Sequence, residues 1–165
     1  MIPKSLNELN RVKAECRKMV KKRAALSAAG AVVPVPGVDV GVDIAIMMEL
    51  LNSINKKFGL SSEQVDQLDA ETKGRLLVIL SSLATDVAGK VISRDIVIQL
   101  LKKIAGRKIV VQGGKYIPFV GQAMAAGISY AAMVYLGNSH IDECYEVCKH
   151  YNEEDGNATG AYAYR

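Results

Sequence analysis

From Tyr116 to Ser139 the chain reads YIPFVGQAMAAGISYAAMVYLGNS, twenty-four residues without one charged side chain. Twenty helical residues from Pro118 to Gly137 would rise about 30 Å, the thickness of a hydrocarbon core, so the run is long enough to span a bilayer. Its composition argues more for a helix enclosed by other helices. Glycine and alanine fill much of it, and Gln122 and Asn138 add polarity. Two rows of small residues, Gly121, Ala125, Ser129 and Ala123, Gly127, Ala131, follow the four-residue spacing that lets neighbouring backbones approach closely. The preferred reading is the buried central helix of a soluble domain, with membrane insertion or membrane contact as the alternative.

At 165 residues the chain fits one domain with a substantial core. Half of it is hydrophobic, yet Trp is absent and only two residues are Phe, so that core is built mainly from aliphatic side chains and Met. This favours packed helices over an aromatic-rich sandwich. The net charge of +4 is unevenly spread. Met1 to Arg23 holds eight basic and two acidic residues, while His140 to Arg165 holds six acidic and two basic ones. Such asymmetry could orient the chain at an acidic surface, although a charged flank is more often plain solvation.

The amino terminus does not read as a secretory signal: its basic start is followed too late by the apolar run Ala24 to Val38, and then by Asp39 and Asp43. Three cysteines, Cys16, Cys144 and Cys148, are too few for a disulfide framework. A cytoplasmic protein, at most peripheral to a membrane, is the expectation.

In chain order, a first helix is predicted from about Ser5 to Ala29, with Leu9, Val12, Cys16, Met19 and Leu26 forming an apolar stripe once Arg23 is admitted to the series. Lys13, Arg17, Lys18, Lys21 and Lys22 occupy its remaining faces and are preferred as an ordinary solvated surface, with contact of these residues and Arg23 to anionic lipid or to protein as the alternative. No aromatic ladder accompanies them, so nucleic acid is the least favoured partner. Pro34, Pro36 and Gly37 break this helix, since neither proline can continue it without lost hydrogen bonds and steric conflict. Asp39 then caps a second helix reaching about Lys57, with Val40, Ile44, Met47, Leu51 and Ile54 facing inward. Asp39 and Asp43 are one turn apart, but no third ligand is nearby, and capping with solvation is preferred over metal or proton-transfer chemistry.

Phe58, Gly59 and Leu60 end the second helix, and Ser61 to Gln64 form a capping-box pattern. A short polar helix over Glu63 to Lys73, an apolar one over Leu76 to Val87, a break near Gly89 and a helix over Ile92 to Ile104 follow. No phosphate-loop pattern GxxxxGK[ST] occurs, so nothing points to nucleotide hydrolysis. Ser139 to Tyr151 reads as a separate final amphipathic helix, and Asn152 to Arg165 as a polar, mobile tail. His140, Cys144 and Cys148 recur every four residues. Each step overshoots a helical turn by about 40°, so core cysteines and a surface histidine are preferred over a zinc site.

Three segments in order, PVPGVDVGVDIAIM from Pro34, KKFGL from Lys56 and IPFVGQAMAAGISYAAMVYL from Ile117, resemble the carboxyl-terminal helical region of immunity-related, interferon-inducible GTPases. They are also similar to the helical domain attached to some bacterial membrane-associated GTPases. The resemblance covers roughly Lys21 to Tyr151. It implies a helical appendage that accompanies a GTP-binding domain and takes part in membrane targeting or self-assembly, so the chain is either part of a larger GTPase or a free-standing relative. The positions that carry over are architectural: Pro34, Pro36, Gly37, Asp39, Asp43, Phe58, Gly59, Leu60, Pro118, Gly121, Gly127 and Ser129. No catalytic, cofactor or metal residue carries over.

The resulting expectation is a compact all-α domain over residues 1–151, with five to seven helices around the small-residue-rich central one. Its expected role is noncatalytic: membrane-associated assembly or coupling to a GTPase domain, with an anionic membrane surface, that domain or a second copy as partner. The alternative is a soluble protein-interaction domain.

Overall fold

A computed structural model of the chain describes the backbone of residues 1–32, 41–83, 88–89, 92–100 and 121–162, and the side chains of 1–26, 44–83, 88–89, 92–100 and 130–156. The protein is all-α. Its helices are α1 (Leu6–Val32), α2 (Gly41–Phe58), α3 (Ser62–Asp66), α4 (Ala70–Ser82) and α5 (Gly121–Tyr162), and residues 94–100 are helical as well. Among the described residues there is no strand. The expected break at Pro34 and Pro36 lies outside them.

The chain forms two compact units: Met1–Cys16, Asn52–Val91 and Ser139–Arg165 make up the first, Arg17–Leu51 and Ile92–Asn138 the second. In the first unit, Leu9, Ile54, Phe58, Leu60, Leu76 and Ile141 are fully or almost fully buried. In the second, Val20, Leu50, Leu51, Val97 and Met133 are.

Local signals account for most helix ends. Ser5 accepts the Glu8 backbone N–H at 3.2 Å, and the Glu8 carboxylate accepts the Lys4 N–H at 3.2 Å, so α1 opens on reciprocal capping. At α3 the capping box is complete: Gln64 N–H donates to Ser61 Oγ, and Ser61 N–H donates to Gln64 Oε1. The polar helix expected over Glu63 to Lys73 is two elements. Asp69 accepts the Thr72 N–H at 2.9 Å and starts α4 at Ala70, six residues before the expected Leu76. That hydrogen bond holds the Asp69 carboxyl below its ordinary range. Val87 and the residues beyond 100 of the next predicted helix lie outside the described residues.

Gly59 ends α2 with a φ of +74°, and Leu60 N–H returns to Asn55 O at 2.8 Å. Here glycine is required twice over. A Cβ on Gly59 would sit 2.5 Å from the carbonyl carbon of Met1 and 2.6 Å from the nitrogen of Ile2, so the amino-terminal strand of backbone passes directly over it. Gly89, with φ +72°, makes the expected break after α4.

Further expectations are corrected. The apolar stripe of α1 ends differently: Leu9, Cys16, Val20 and Ala24 are buried, while Leu26 is 63% exposed. Cys16, Val20 and Ala24 are spaced by four, and Leu26 lies about 200° around the helix from Ala24, on the opposite side. The central helix and the final one are also not separate. Residues Gly121–Tyr162 form one helix of 42 residues, running through Gly137, Asn138 and Ser139. A glycine or asparagine inside a helix costs only about 0.5–1 kcal/mol, and Gly137 packs against Val20, where a side chain would collide. From Tyr130 onward the uncharged stretch is not enclosed on all sides: Met133 and Leu136 are buried, whereas Tyr130 and Tyr135 are exposed.

The residues expected to form a tail from Asn152 continue α5. Asn152 donates to the Pro3 carbonyl at 3.0 Å, and Asp155 pairs with Arg75 at 3.1 Å. Among the described residues no helix is long and apolar enough to cross a membrane.

Candidate functional site

The six basic residues predicted for an anionic surface are sorted by the fold into two groups. Lys13 is engaged within the first unit: its Nζ lies 2.9 Å from Asp142 and 4.1 Å from the centre of the Tyr145 ring. Tyr145 is itself fixed, its hydroxyl donating to Asn10 Oδ1 at 2.9 Å. In the second unit Arg23 donates to Glu49 at 2.6 Å, which raises the Arg23 pKa and lowers that of Glu49. Arg17 also has a partner. Lys18, Lys21 and Lys22 remain: all three are exposed, and none forms an ion pair among the described residues. Sequence alone counts six cations here; the structure leaves three to face a partner.

Of these lysines, Lys22 borders an apolar depression. Met19, Lys22, Arg23 and Leu26 recur at the spacing of one helical face, and with Ile46 of α2 they line a groove of about 430 Å³. Met19 and Ile46 are half-buried, and Leu26 stands out into solvent. The side that continues the burial of Leu9 and Cys16 is Val20 and Ala24, which explains why a stripe drawn through Leu26 reaches the wrong face.

A second polar cluster lies inside the first unit. Asn55, 1% exposed, accepts at its Oδ1 from His140 Nε2 at 2.9 Å and from the Cys144 thiol at 3.4 Å. His140 is 2% exposed, which corrects the expectation of a surface histidine. Its Nδ1 has no hydrogen-bond partner and lies 3.9 Å from a Glu143 carboxylate oxygen. Cys148 donates to the Phe58 carbonyl at 3.5 Å. Burial raises the Cys144 thiol well above its ordinary value, moves Cys148 to about 12 and Cys16 to about 11. These sulfurs are therefore protonated at neutral pH, the opposite of what a nucleophile or thiolate ligand needs. Among the described residues no three metal-binding side chains converge. Asn55 escaped the sequence reading, but the signal was present: it follows Leu51 by four and precedes Phe58 by three, on the face that α2 buries.

A larger cleft of about 510 Å³ lies between the amino-terminal residues, the start of α4 and the end of α5, lined in part by Lys4, Asp69, Thr72, Tyr151 and Asn152. Its polar side chains serve the fold: Asp69 caps α4, Asn152 holds Pro3 and Tyr151 lies 5.7 Å from the Arg75 guanidinium.

The architectural residues are placed unevenly. Phe58 and Leu60 are fully buried around Gly59. Gly121, Gly127 and Ser129 belong to the backbone of α5, and Asp43 to that of α2. Pro34, Pro36, Gly37, Asp39 and Pro118 lie outside the described residues. Comparison with protein-family models, with curated proteins and with solved structures returns no match. The likeness to GTPase-associated helical domains thus rests on the three sequence segments.

Proposed function

We propose that this chain is a noncatalytic helical domain that associates peripherally with an anionic membrane surface, in the setting of self-assembly or coupling to a GTPase domain that the resemblance implies. One observation carries the reading: among the described residues Lys18, Lys21 and Lys22 are exposed without ion-pair partners, whereas Lys13 and Arg23 of the same helix are paired with Asp142 and Glu49. Cations not matched within a protein keep their attraction for phosphate, and each near an anionic bilayer is worth about 1 kcal/mol.

Cosedimentation with phosphatidylserine-containing and with pure phosphatidylcholine vesicles, at low and high salt, tests it. Binding is expected to the anionic vesicles and to weaken as salt screens it. Changing all three lysines to glutamate should lower the partition coefficient on the order of 100-fold or more. Equal binding by this variant and the unaltered chain would refute the role of the surface. Without a phosphate loop, the chain should neither bind GTP tightly nor hydrolyse it, which calorimetry checks.

A second reading, a soluble protein-interaction domain, is favoured by a different face. Leu77 and Val78 on α4 are 49% and 67% exposed. On that reading vesicles of either kind leave the protein in the supernatant.

A further inference from the structure

We propose that the groove formed by Met19, Lys22, Arg23, Leu26 and Ile46 is a membrane-insertion element: the Leu26 side chain enters the acyl layer of an anionic phospholipid bilayer while Lys18 and Lys22 hold the phosphates above it. The inference rests on the peripheral-membrane reading, and it adds that attraction by charge alone is not the mode of binding. Three features support it. Among the described side chains of α1, Leu26 is the most exposed large hydrophobic one, and it lies at the end of a row with Lys18 and Lys22, spaced by four. The groove is apolar in its floor, through the half-buried Met19 and Ile46, and cationic at its rim. Arg23 at the rim lies 2.6 Å from Glu49, so the uncompensated charge of the rim sits on Lys22, with Lys18 one turn before it on the same row.

This charge distribution selects the occupant. An apolar side chain beside unmatched cations on one helix face matches a layer that is anionic at its surface and hydrocarbon beneath, as an anionic leaflet is. Lysine suits the boundary because its methylene stem can lie along apolar surface while the ammonium stays at the phosphate level. Leu26 lies at the margin of the groove and points into water, so it can be buried by a bilayer without any rearrangement of the core.

The chain contains no tryptophan, so Leu26→Trp in the full chain places a single reporter at the site. Its emission is followed on titration with phosphatidylserine-containing vesicles, with and without bromine on the acyl chains, alongside cosedimentation. The expected result is a blue shift and strong quenching by the brominated lipid. In parallel, Leu26→Ser should lower the partition coefficient about tenfold, whereas Leu77→Ser on α4 leaves it unchanged. Circular dichroism of each variant verifies folding, which the exposure of both leucines favours. Salt-sensitive cosedimentation with an unshifted, unquenched tryptophan would overturn the insertion while leaving peripheral association intact. Absence of binding to any vesicle would overturn both. A blue shift produced by polyglutamate as strongly as by vesicles would assign the groove to an acidic polypeptide and overturn the lipid assignment.

Discussion

Gly74 in α4 and Gly137 in α5 both sit inside helices, and replacing each by alanine should move stability in opposite directions. In either helix the change removes backbone freedom from the unfolded chain and gains about 1 kcal/mol of helix propensity. At Gly74 nothing lies within 4 Å of the added methyl group. The full propensity gain should appear there, a stabilisation of about 0.5–1 kcal/mol. At Gly137 the same methyl group would lie 2.7 and 2.8 Å from the two γ-carbons of Val20, against 3.4–4 Å for ordinary contact. Val20 is fully buried, and a β-branched side chain in a helix has essentially one favoured rotamer, so it cannot swing aside. Overpacking of this kind costs about 1–3 kcal/mol.

The propensity gain is common to both variants, so their difference isolates the collision. Gly137→Ala should be less stable than Gly74→Ala by about 1–3 kcal/mol. Urea unfolding followed by circular dichroism resolves this, because with a denaturant slope of about 2 kcal/mol per molar the midpoints would separate by roughly 0.5–1.5 M. Shortening Val20 to alanine should relieve the Gly137→Ala variant, giving a favourable coupling of about 1 kcal/mol or more in a double-mutant cycle. If Gly137→Ala proves as stabilising as Gly74→Ala, the close approach of α1 and α5 at this point is wrong.

Gly59→Ala combines a left-handed backbone with a collision against the Met1–Ile2 backbone and should cost more than about 2 kcal/mol, read as a fall in the unfolding midpoint. Asn55→Leu strips His140 and Cys144 of their shared acceptor and should cost about 1–3 kcal/mol in the same assay, with Asn55→Leu combined with His140→Leu recovering part of the loss. The three thiols should resist alkylation in the native protein at pH 8 and react on unfolding, since Cys16 and Cys148 titrate near 11 and 12 in the fold. Their folded pKa values lie above the unfolded ones, so the contribution to stability is complete below about pH 8.5 and is lost as pH rises towards 11–12. Substituting Cys16 and Cys148 by alanine should flatten the fall in the unfolding midpoint across that range.

Helix type and most helix starts were legible in the residues themselves, because caps and turns are made by neighbours in sequence. Ser61 with Gln64, and Gly59 in its left-handed turn, act within four residues, and each does what its pattern announces. The inward series Ile44, Met47, Leu51 and Ile54 is buried as its period requires. Tertiary structure decided what depends on partners distant in sequence. Gly137 does not end a helix, because Val20, more than a hundred residues away, fills the space beside it. His140 is internal because Asn55 offers an acceptor across the core, a pairing that four-residue spacing along α5 cannot show. The basic surface is the plainest case. Sequence places six cations together, but the number that can face a partner follows from Asp142 and Glu49, which engage Lys13 and Arg23, and from the contact that Arg17 makes, so that Lys18, Lys21 and Lys22 remain on the helix that carries the exposed Leu26.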